Sequence, residues 1–148
     1  MRIHRESWSH AYRGILPHAH LKPMISRRTA AWWRGAIRSR DNVLVLAIND
    51  EAAGYATCGR ARHTGREEGE IYELYLAPKF QGLGFGEHLF EACRATLDLK
   101  GYRGLAVHVL SENEQAIGFY WARGGRPVAE CYERFGEATV AKLTLAWD

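Results

Sequence analysis

A glycine-rich turn lies between a strand-like segment and an amphipathic helix pattern, and it is the part of the sequence best suited to binding an anion. The turn consists of Gln81, Gly82, Leu83, Gly84, Phe85 and Gly86. Glycine lets a ligand approach the backbone closely, and the amides and dipole of a helix N-terminus attract negative charge. The spacing therefore predicts an anion site where this helix begins.

The spacing also restricts which anion binds. A nucleoside-triphosphate loop needs Gly-Lys-Ser/Thr, and a dinucleotide-binding Gly-x-Gly-x-x-Gly pattern needs glycine where Glu87 stands. What remains is Gln-x-x-Gly-x-Gly after a strand that ends in Ala77-Pro78. This arrangement resembles the acetyl-CoA signature of the GNAT N-acetyltransferase superfamily, in which the amides of the loop surround the CoA pyrophosphate.

A second block carries the same resemblance. The apolar strand pattern at 105–110 is followed by Asn113, by Ala-x-x-Phe-Tyr at 116–120 and by a helix end at Gly124-Gly125. This block is similar to the protein N-terminal acetyltransferase subgroup, and residues 7–17 resemble the first helix and loop of one bacterial subgroup. The resemblance covers nearly the whole chain and implies acetyl-CoA as co-substrate, with no metal.

The resemblance also implies catalytic roles. Tyr120 is the expected general acid that protonates the leaving CoA thiolate. A lysine-like amine has a pKa near 10.4, so about one molecule in a thousand is unprotonated at neutral pH and a base is useful. Glu73, and His108 five residues before Asn113, are the two candidate bases, singly or through a water chain. Each residue also has a structural interpretation, as a core tyrosine, a half-exposed strand carboxylate and a core histidine.

Cofactor contacts are expected from several backbone and side-chain groups. By resemblance the main chain of Leu74 and Leu76 holds the pantetheine amides and the turn at 81–86 holds the pyrophosphate. Asn113 contacts the pantetheine arm or the water molecule of the base, and Tyr120 also contacts the cofactor. Asn113 is equally suited to cap a helix.

The acceptor side is predicted less directly. Strict alternation along the strand predicts that Glu73 shares a face with Ile71 and Tyr75. N-terminal helices shape the acceptor pocket in the family, so its floor is expected from a set of aromatic side chains, at least one of which packs in the core: Trp8, Trp32 and Trp33.

The elements that position these residues follow from hydrophobic periodicity. Helices are predicted near 3–15 and 21–37, after the glycine-rich turn as far as Lys100-Gly101, and near 113–123, with Asp41-Asn42 breaking the second pattern. Strands are predicted near 43–48, 53–61, 70–77, 104–110, 127–133 and 138–147. This order predicts one α+β domain over 1–148, an α/β sandwich with a mixed sheet of about six strands flanked by about four helices.

One departure from the family pattern concerns the start of the fold. Most GNAT domains begin with a strand, whereas the first helical stripe here follows Met1 almost at once. The first strand is therefore expected to be missing or truncated. That would leave an unpaired sheet edge, which a second copy of the chain could cover in a homodimer.

Composition narrows the remaining classes. The chain has 148 residues, 47% of them hydrophobic, and a net charge of +3. Residues 1–40 carry nine Lys or Arg against one acid, which we interpret as a solvated helix face rather than a nucleic-acid surface.

No apolar run reaches membrane-spanning length, and three widely spaced cysteines suggest free, buried thiols. His18 and His20 form a lone His-x-His without further ligands. A cytoplasmic protein without a membrane or nucleic-acid partner is expected.

The acceptor stays open at this point. A small-molecule amine and a peptide N-terminus both suit the sequence. The competing hypothesis is a module of the same fold that binds acetyl-CoA without catalysis, as a sensor or interaction domain.

Overall fold

The computed structural model describes residues 1–39 and 42–148, and in these ranges the chain forms five α-helices around one six-stranded sheet. The helices are α1 (Arg2–Ala11), α2 (His18–Ser26), α3 (Ala30–Arg38), α4 (Phe85–Leu99) and α5 (Glu114–Ala122), with a short 3-10 turn at Pro78–Phe80. The strands are β1 (Asn42–Ile48), β2 (Glu51–Arg60), β3 (Gly69–Leu76), β4 (Leu105–Leu110), β5 (Arg126–Phe135) and β6 (Ala138–Trp147).

The sheet is mixed and has the order β1-β2-β3-β4-β6-β5. β3 and β4 are parallel, as expected for strands joined by the crossover helix α4, and the other neighbours are antiparallel. Helices cover both faces. One core includes Cys58, Ile71, Phe90, Cys93 and Leu145 beneath α4 and α5. The opposite face packs against α1 and α2 through a second cluster of Leu16, Leu21, Leu110 and Val140. The predicted α+β sandwich is confirmed.

The helix count differs from the prediction in one place. The stretch 21–37 is not one helix, because α2 ends at Ser26 and α3 begins at Ala30. Thr29 has an extended backbone and its Oγ1 accepts the amide hydrogen of Trp32 at 3.2 Å, so it caps α3. Arg28 therefore lies in a loop, where its side chain can reach the sheet. The predicted break at Asp41-Asn42 concerns Asp41, which lies outside the described residues.

The sheet edges bear on the expectation of a missing strand. Within the described ranges no strand precedes α1, which begins at Arg2, and β1 occupies the edge of the sheet. β5 forms the other edge.

Cys131 on β5 is exposed, so the expectation of buried thiols is wrong for this residue and right for Cys58 and Cys93. No helix in residues 1–39 or 42–148 is long and apolar enough to span a bilayer.

Candidate active site

The site forms where two central strands diverge. β3 and β4 pair at Gly69–Ile71 with Leu105–Val107, and within the described residues their ladder stops there. Beyond it β3 continues to Leu76 and β4 to Leu110. The gap leaves backbone N–H and C=O groups that would pair between strands in a continuous sheet. The turn before α4 and the start of α5 lie at its edge.

The β3 backbone presents hydrogen-bonding groups to this gap. The amide of Ala77 donates to the carbonyl of Ala53 on the β2 side at 2.8 Å. Bonded pairs of an antiparallel ladder recur at every second residue, so the N–H and C=O groups of Leu74 and Leu76 point away from β2. The carbonyl of Leu76 accepts from Ser7 Oγ at 3.0 Å and from Gln81 Nε2 at 3.1 Å. The Leu74 groups and the Leu76 amide are thus directed at the gap, as a pantetheine-binding strand requires.

The glycine-rich turn has the geometry of an anion cradle. Gly82 and Gly84 have φ values of 74° and 82°, which side chains rarely adopt, and Gly84 is the N-cap of α4. The first amides of a helix have no acceptor within it. Gly86 lies so close to α5 that an added Cβ would be 3.0 Å from Phe119 Cε2. The turn therefore positions the start of α4 tightly beside α5, with its amides available to a ligand.

The other residues predicted to bind the cofactor have different structural contacts around the turn. Gln81 ties the turn to the end of β3, and its Oε1 accepts from Gln115 Nε2 at 3.4 Å. Asn113 is the N-cap of α5, where its Oδ1 accepts the amide hydrogen of Ala116 at 3.2 Å. Phe85 is half-buried at the start of α4. Leu83, in the middle of the turn, is 64% exposed.

Tyr120 lies at the inner end of the cleft. A cavity of about 140 Å³ is lined by Tyr120 together with Leu74, Leu76, Gln81, Gly86 and Asn113. The Tyr120 ring packs against Phe90 and Trp147 at centroid distances of 6.0 and 5.9 Å. Burial raises the pKa of the Tyr120 hydroxyl above its ordinary value. The phenol is therefore protonated at neutral pH, as a general acid must be.

A second cavity lies on the other side of β3, beneath α1 and α3. It has a volume of about 680 Å³, and we call it the aromatic cavity after the aromatic side chains among its lining residues: Trp8, Tyr12, Trp32, Tyr72, Tyr75 and Phe135. Tyr75 also lines the cleft that contains Tyr120. Its hydroxyl is 2.7 Å from that of Tyr12. Tyr75 thus stands between the two cavities. Trp33 does not line this one and packs edge-on against Tyr55 instead.

Glu73 lies in the wall of this aromatic cavity and is bound to an arginine. It is 8% exposed, and its Oε1 and Oε2 accept from Arg28 Nη2 at 2.5 Å and Nη1 at 3.3 Å. The Arg28 guanidinium also lies over the Trp32 ring, 3.8 Å from the centroid. Glu73 is therefore a buried carboxylate held by a cation.

The prediction that Glu73 shares a face of β3 with Ile71 and Tyr75 is correct for Tyr75 and wrong for Ile71. Tyr75 does share its face, but Ile71 is buried in the core on the opposite side. The register of β2 and β3 shifts between Thr57, opposite Glu73, and Cys58, opposite Ile71. This bulge at Tyr72 reverses the alternation and turns Glu73 toward the aromatic cavity.

His108 lines the same cavity from β4. Its Nδ1 is 2.9 Å from Thr144 Oγ1, its Nε2 is 3.9 Å from Glu70 Oε1, and its ring centroid is 4.5 Å from that of His63. Burial lowers the pKa of the His108 imidazole, against the opposing effect of Glu70. The imidazole is consequently neutral at neutral pH.

Sequence reasoning missed Arg28, Tyr12 and the group around Glu70. Arg28 lies 45 residues before Glu73, in a segment predicted to be helix interior. Glu70 is buried with its Oε2 accepting the amide hydrogen of Arg62 at 2.7 Å, which an alternating strand pattern does not indicate. The segment Tyr12-Arg13-Gly14-Ile15-Leu16-Pro17 predicts a first helix and loop only through the family resemblance.

Comparison with known proteins agrees with this geometry. The sequence model of the acetyltransferase (GNAT) family matches residues 4–124. An uncharacterized N-acetyltransferase of Archaeoglobus fulgidus is 31% identical over 94 residues, which are 62% of this chain and 60% of that protein. The uncharacterized N-acetyltransferase YuaI of Bacillus subtilis is 27% identical over 99% of this chain and 84% of its own length. The match thus spans about three fifths of the archaeal relative.

The fold has solved counterparts. The PaiA N-acetyltransferase of Thermoplasma acidophilum, crystallised with coenzyme A, superposes with a TM-score of 0.73 at 18% identity, covering 96% of this chain and 87% of that one. At this identity the likeness concerns the fold. With the family match over residues 4–124, it leads to one conclusion: the chain belongs to the GNAT acetyltransferase family.

Proposed function

We propose that this chain transfers the acetyl group of acetyl-CoA to a primary amine by direct attack in a ternary complex. Tyr120 acts as general acid, and Glu73 or His108 acts as general base. The observation that carries the proposal is the position of Tyr75, which lines both the cleft at the glycine-rich turn and the aromatic cavity across β3. A thioester in the cleft and an amine in the cavity would meet there.

The proposed reaction uses groups already directed at the gap. The amine nitrogen attacks the thioester carbonyl carbon, and the N–H group of Leu76 or Leu74 is directed so that it can stabilise the negative oxygen. The carbon–sulfur bond then breaks and the thiolate takes the Tyr120 proton. The base takes the proton that the amine nitrogen loses. Holding both reactants in adjoining cavities supplies much of the acceleration.

Between the two candidate bases, the contacts favour His108. The Glu73 carboxylate receives two hydrogen bonds from Arg28, so taking up a proton would cancel the charge that holds this ion pair. His108 is held through Nδ1 by Thr144, which leaves Nε2 as the nitrogen available for a proton or a water molecule. Glu73 then serves to hold positive charge near the acceptor.

The cavity suits a cationic acceptor amine. Aromatic faces stabilise an ammonium group. The carboxylates of Glu73 and Glu133 in the same walls are paired with Arg28 and Lys142, so the aromatic rings would receive the amine. A small-molecule amine and the amino terminus of a peptide both carry this group. The alternative is a sensor of the same fold that binds acetyl-CoA without transfer, and it predicts binding with no turnover.

The test is thiol release from acetyl-CoA with a panel of small amines and short peptides, with wild type, His108→Gln and Glu73→Gln measured side by side. We expect turnover with at least one amine, and about 100-fold lower kcat in His108→Gln. Loss of kcat in Glu73→Gln with His108→Gln active would reassign the base. A thermal shift with acetyl-CoA and no turnover for any amine would support the sensor, and no thermal shift would contradict the cofactor assignment.

A further inference from the structure

We propose that His63, Glu70 and His108 form a binding site for a divalent transition-metal ion, between the β2–β3 connection and strands β3 and β4. Zn²⁺ is the ion that tests it. One ligand atom from each residue lies within 4.8 Å of the other two. Two imidazole nitrogens and a carboxylate oxygen are a ligand set that zinc accepts with water in the fourth position.

The distances suit an ion after a small movement of one side chain. His108 Nε2 and Glu70 Oε1 are 3.9 Å apart, too far for a hydrogen bond. Ligands of a tetrahedral zinc ion at bond lengths near 2.1 Å lie about 3.4 Å apart. Glu70 and His108 are thus close to the required spacing. The exposed His63, in the connection between β2 and β3, lies within 4.8 Å of both and completes the set by turning inward.

Outer contacts already orient Glu70, which is buried, and His108, which is half-buried. Thr144 Oγ1 is 2.9 Å from His108 Nδ1, which directs Nε2 toward Glu70. The Arg62 amide donates to Glu70 Oε2 at 2.7 Å and leaves Oε1 facing the histidines. Such second partners fix the orientation and tautomer of metal ligands in proteins. The nearby ammonium of Lys142 is paired with Glu133, which lessens its repulsion of an ion.

The surroundings supply a path and room for the remaining ligand. His63 and His108 both line an open cavity of about 1040 Å³ formed with β5 and β6. Imidazole and carboxylate ligands select Zn²⁺, Co²⁺ or Ni²⁺, whereas Mg²⁺ prefers oxygen and keeps its water. We therefore expect transition-metal binding and no response to Mg²⁺.

Binding would have a consequence for catalysis, and this part alone depends on the proposed function. The ion would use the same Nε2 lone pair that His108 needs as general base. Zn²⁺ should then inhibit acetyl transfer, and a chelator should restore it.

The experiment is calorimetric titration of the chelator-treated full chain with Zn²⁺ and with Mg²⁺, without acetyl-CoA. We expect one Zn²⁺ per chain, and at least about tenfold weaker binding in His63→Ala and in Thr144→Val, which keeps all three ligands but frees His108 Nδ1. Visible absorption of the Co²⁺-loaded protein should change in the same two variants. Because acetyl transfer is not measured, failure here is distinct from failure of the proposed function.

Two matched variants locate the ion. His88→Ala, on an exposed turn of α4, and His18→Ala, in the His-x-His pair, should bind Zn²⁺ as the wild type does. Binding lost in His18→Ala and kept in His63→Ala would place the ion at the His18 pair and overturn the proposal. Absence of stoichiometric binding in the wild type would overturn it as well. His63 is exposed, so its replacement leaves the folded chain intact for these measurements.

Discussion

Arg28 and Glu73 form a two-point ion pair across the wall of the aromatic cavity, with Nη2 2.5 Å from Oε1 and Nη1 3.3 Å from Oε2. The carboxylate side chain is 7% exposed and the arginine side chain 21%. The pair joins the loop before α3 to β3, so this contact in the wall of the aromatic cavity also links two distant parts of the chain.

Removing only the arginine should destabilise the protein. Arg28→Met leaves a buried carboxylate without its partner, and we expect the free energy of unfolding to fall by about 3 kcal/mol. Urea denaturation checks this. The double variant Arg28→Met/Glu73→Gln should recover part of the loss, because the uncompensated charge is gone. A single variant as stable as the wild type would show that the pair contributes little.

Replacing the proposed acid should separate catalysis from binding. Tyr120→Phe keeps the ring against Phe90 and Trp147 and removes the hydroxyl. We expect kcat to fall at least about tenfold, with the acetyl-CoA-induced thermal shift unchanged. Steady-state kinetics and thermal melts of the same samples measure both. An unchanged kcat would remove Tyr120 from the mechanism.

The close approach of α4 to α5 should be needed for cofactor binding. In Gly86→Ala the new methyl group would be 3.0 Å from Phe119 Cε2 and 3.5 Å from Leu76 Cδ1, so either the Phe119 ring or the helix N-terminus must move by a few tenths of an ångström. We expect CoA affinity to weaken about tenfold, or about 1.4 kcal/mol, by calorimetry.

Gly118→Ala is the matched control for this substitution. In the described part of the chain, a Cβ at Gly118 on α5 would have no heavy atom within 4 Å beyond its own helix backbone and chain neighbours. Alanine is the better helix former by about 1 kcal/mol, so CoA affinity should stay and stability should rise. Equal CoA affinity in both variants would contradict the role given to Gly86.

His4 should make stability depend on pH. It is 1% exposed, and burial, followed by the charge of Arg28, lowers its pKa from the ordinary 6.5 to about 4. The unfolded chain therefore binds this proton near pH 6.5, whereas the folded chain stays neutral until about pH 4. Stability is retained above pH 6.5 and falls as the pH drops toward 4, by about 3 kcal/mol.

The measurement compares urea unfolding of wild type and His4→Gln at pH 7 and pH 4.5. The loss between the two pH values should be clearly smaller in His4→Gln, because glutamine does not titrate. His88→Gln, which changes an exposed histidine, should show the wild-type loss. Identical pH dependence in all three proteins would mean that His4 is protonated as easily in the folded state as in the unfolded one.

Local patterns were enough to predict the elements around the cleft. The strand before the glycine-rich turn, the helix after it and the Asn113 cap lie within a few residues of where periodicity and turn chemistry place them. These features depend on neighbours in sequence, such as the αL glycine Gly84 and the cap at Asn113.

The features that escaped prediction depend on residues that are distant in sequence or on an interruption of the period. The break at Thr29 divides an apolar stripe that reads as one helix, because a cap can outweigh a continuous pattern. The bulge at Tyr72 puts Ile71 and Glu73 on opposite faces despite their spacing of two. His63, Glu70 and His108 meet only because β3 and β4 are parallel neighbours joined through α4.

The short ladder between β3 and β4 divides the sheet into two mechanical halves, β1-β2-β3 and β4-β6-β5. In the described residues the halves share three paired positions, so the seam between them depends on packing beneath α4 and α5. Local opening concentrates where few backbone bonds resist it. A ligand that bonds to Leu74 and Leu76 and also contacts α5 would bridge this seam, and amide hydrogen exchange along both strands should slow together when it binds.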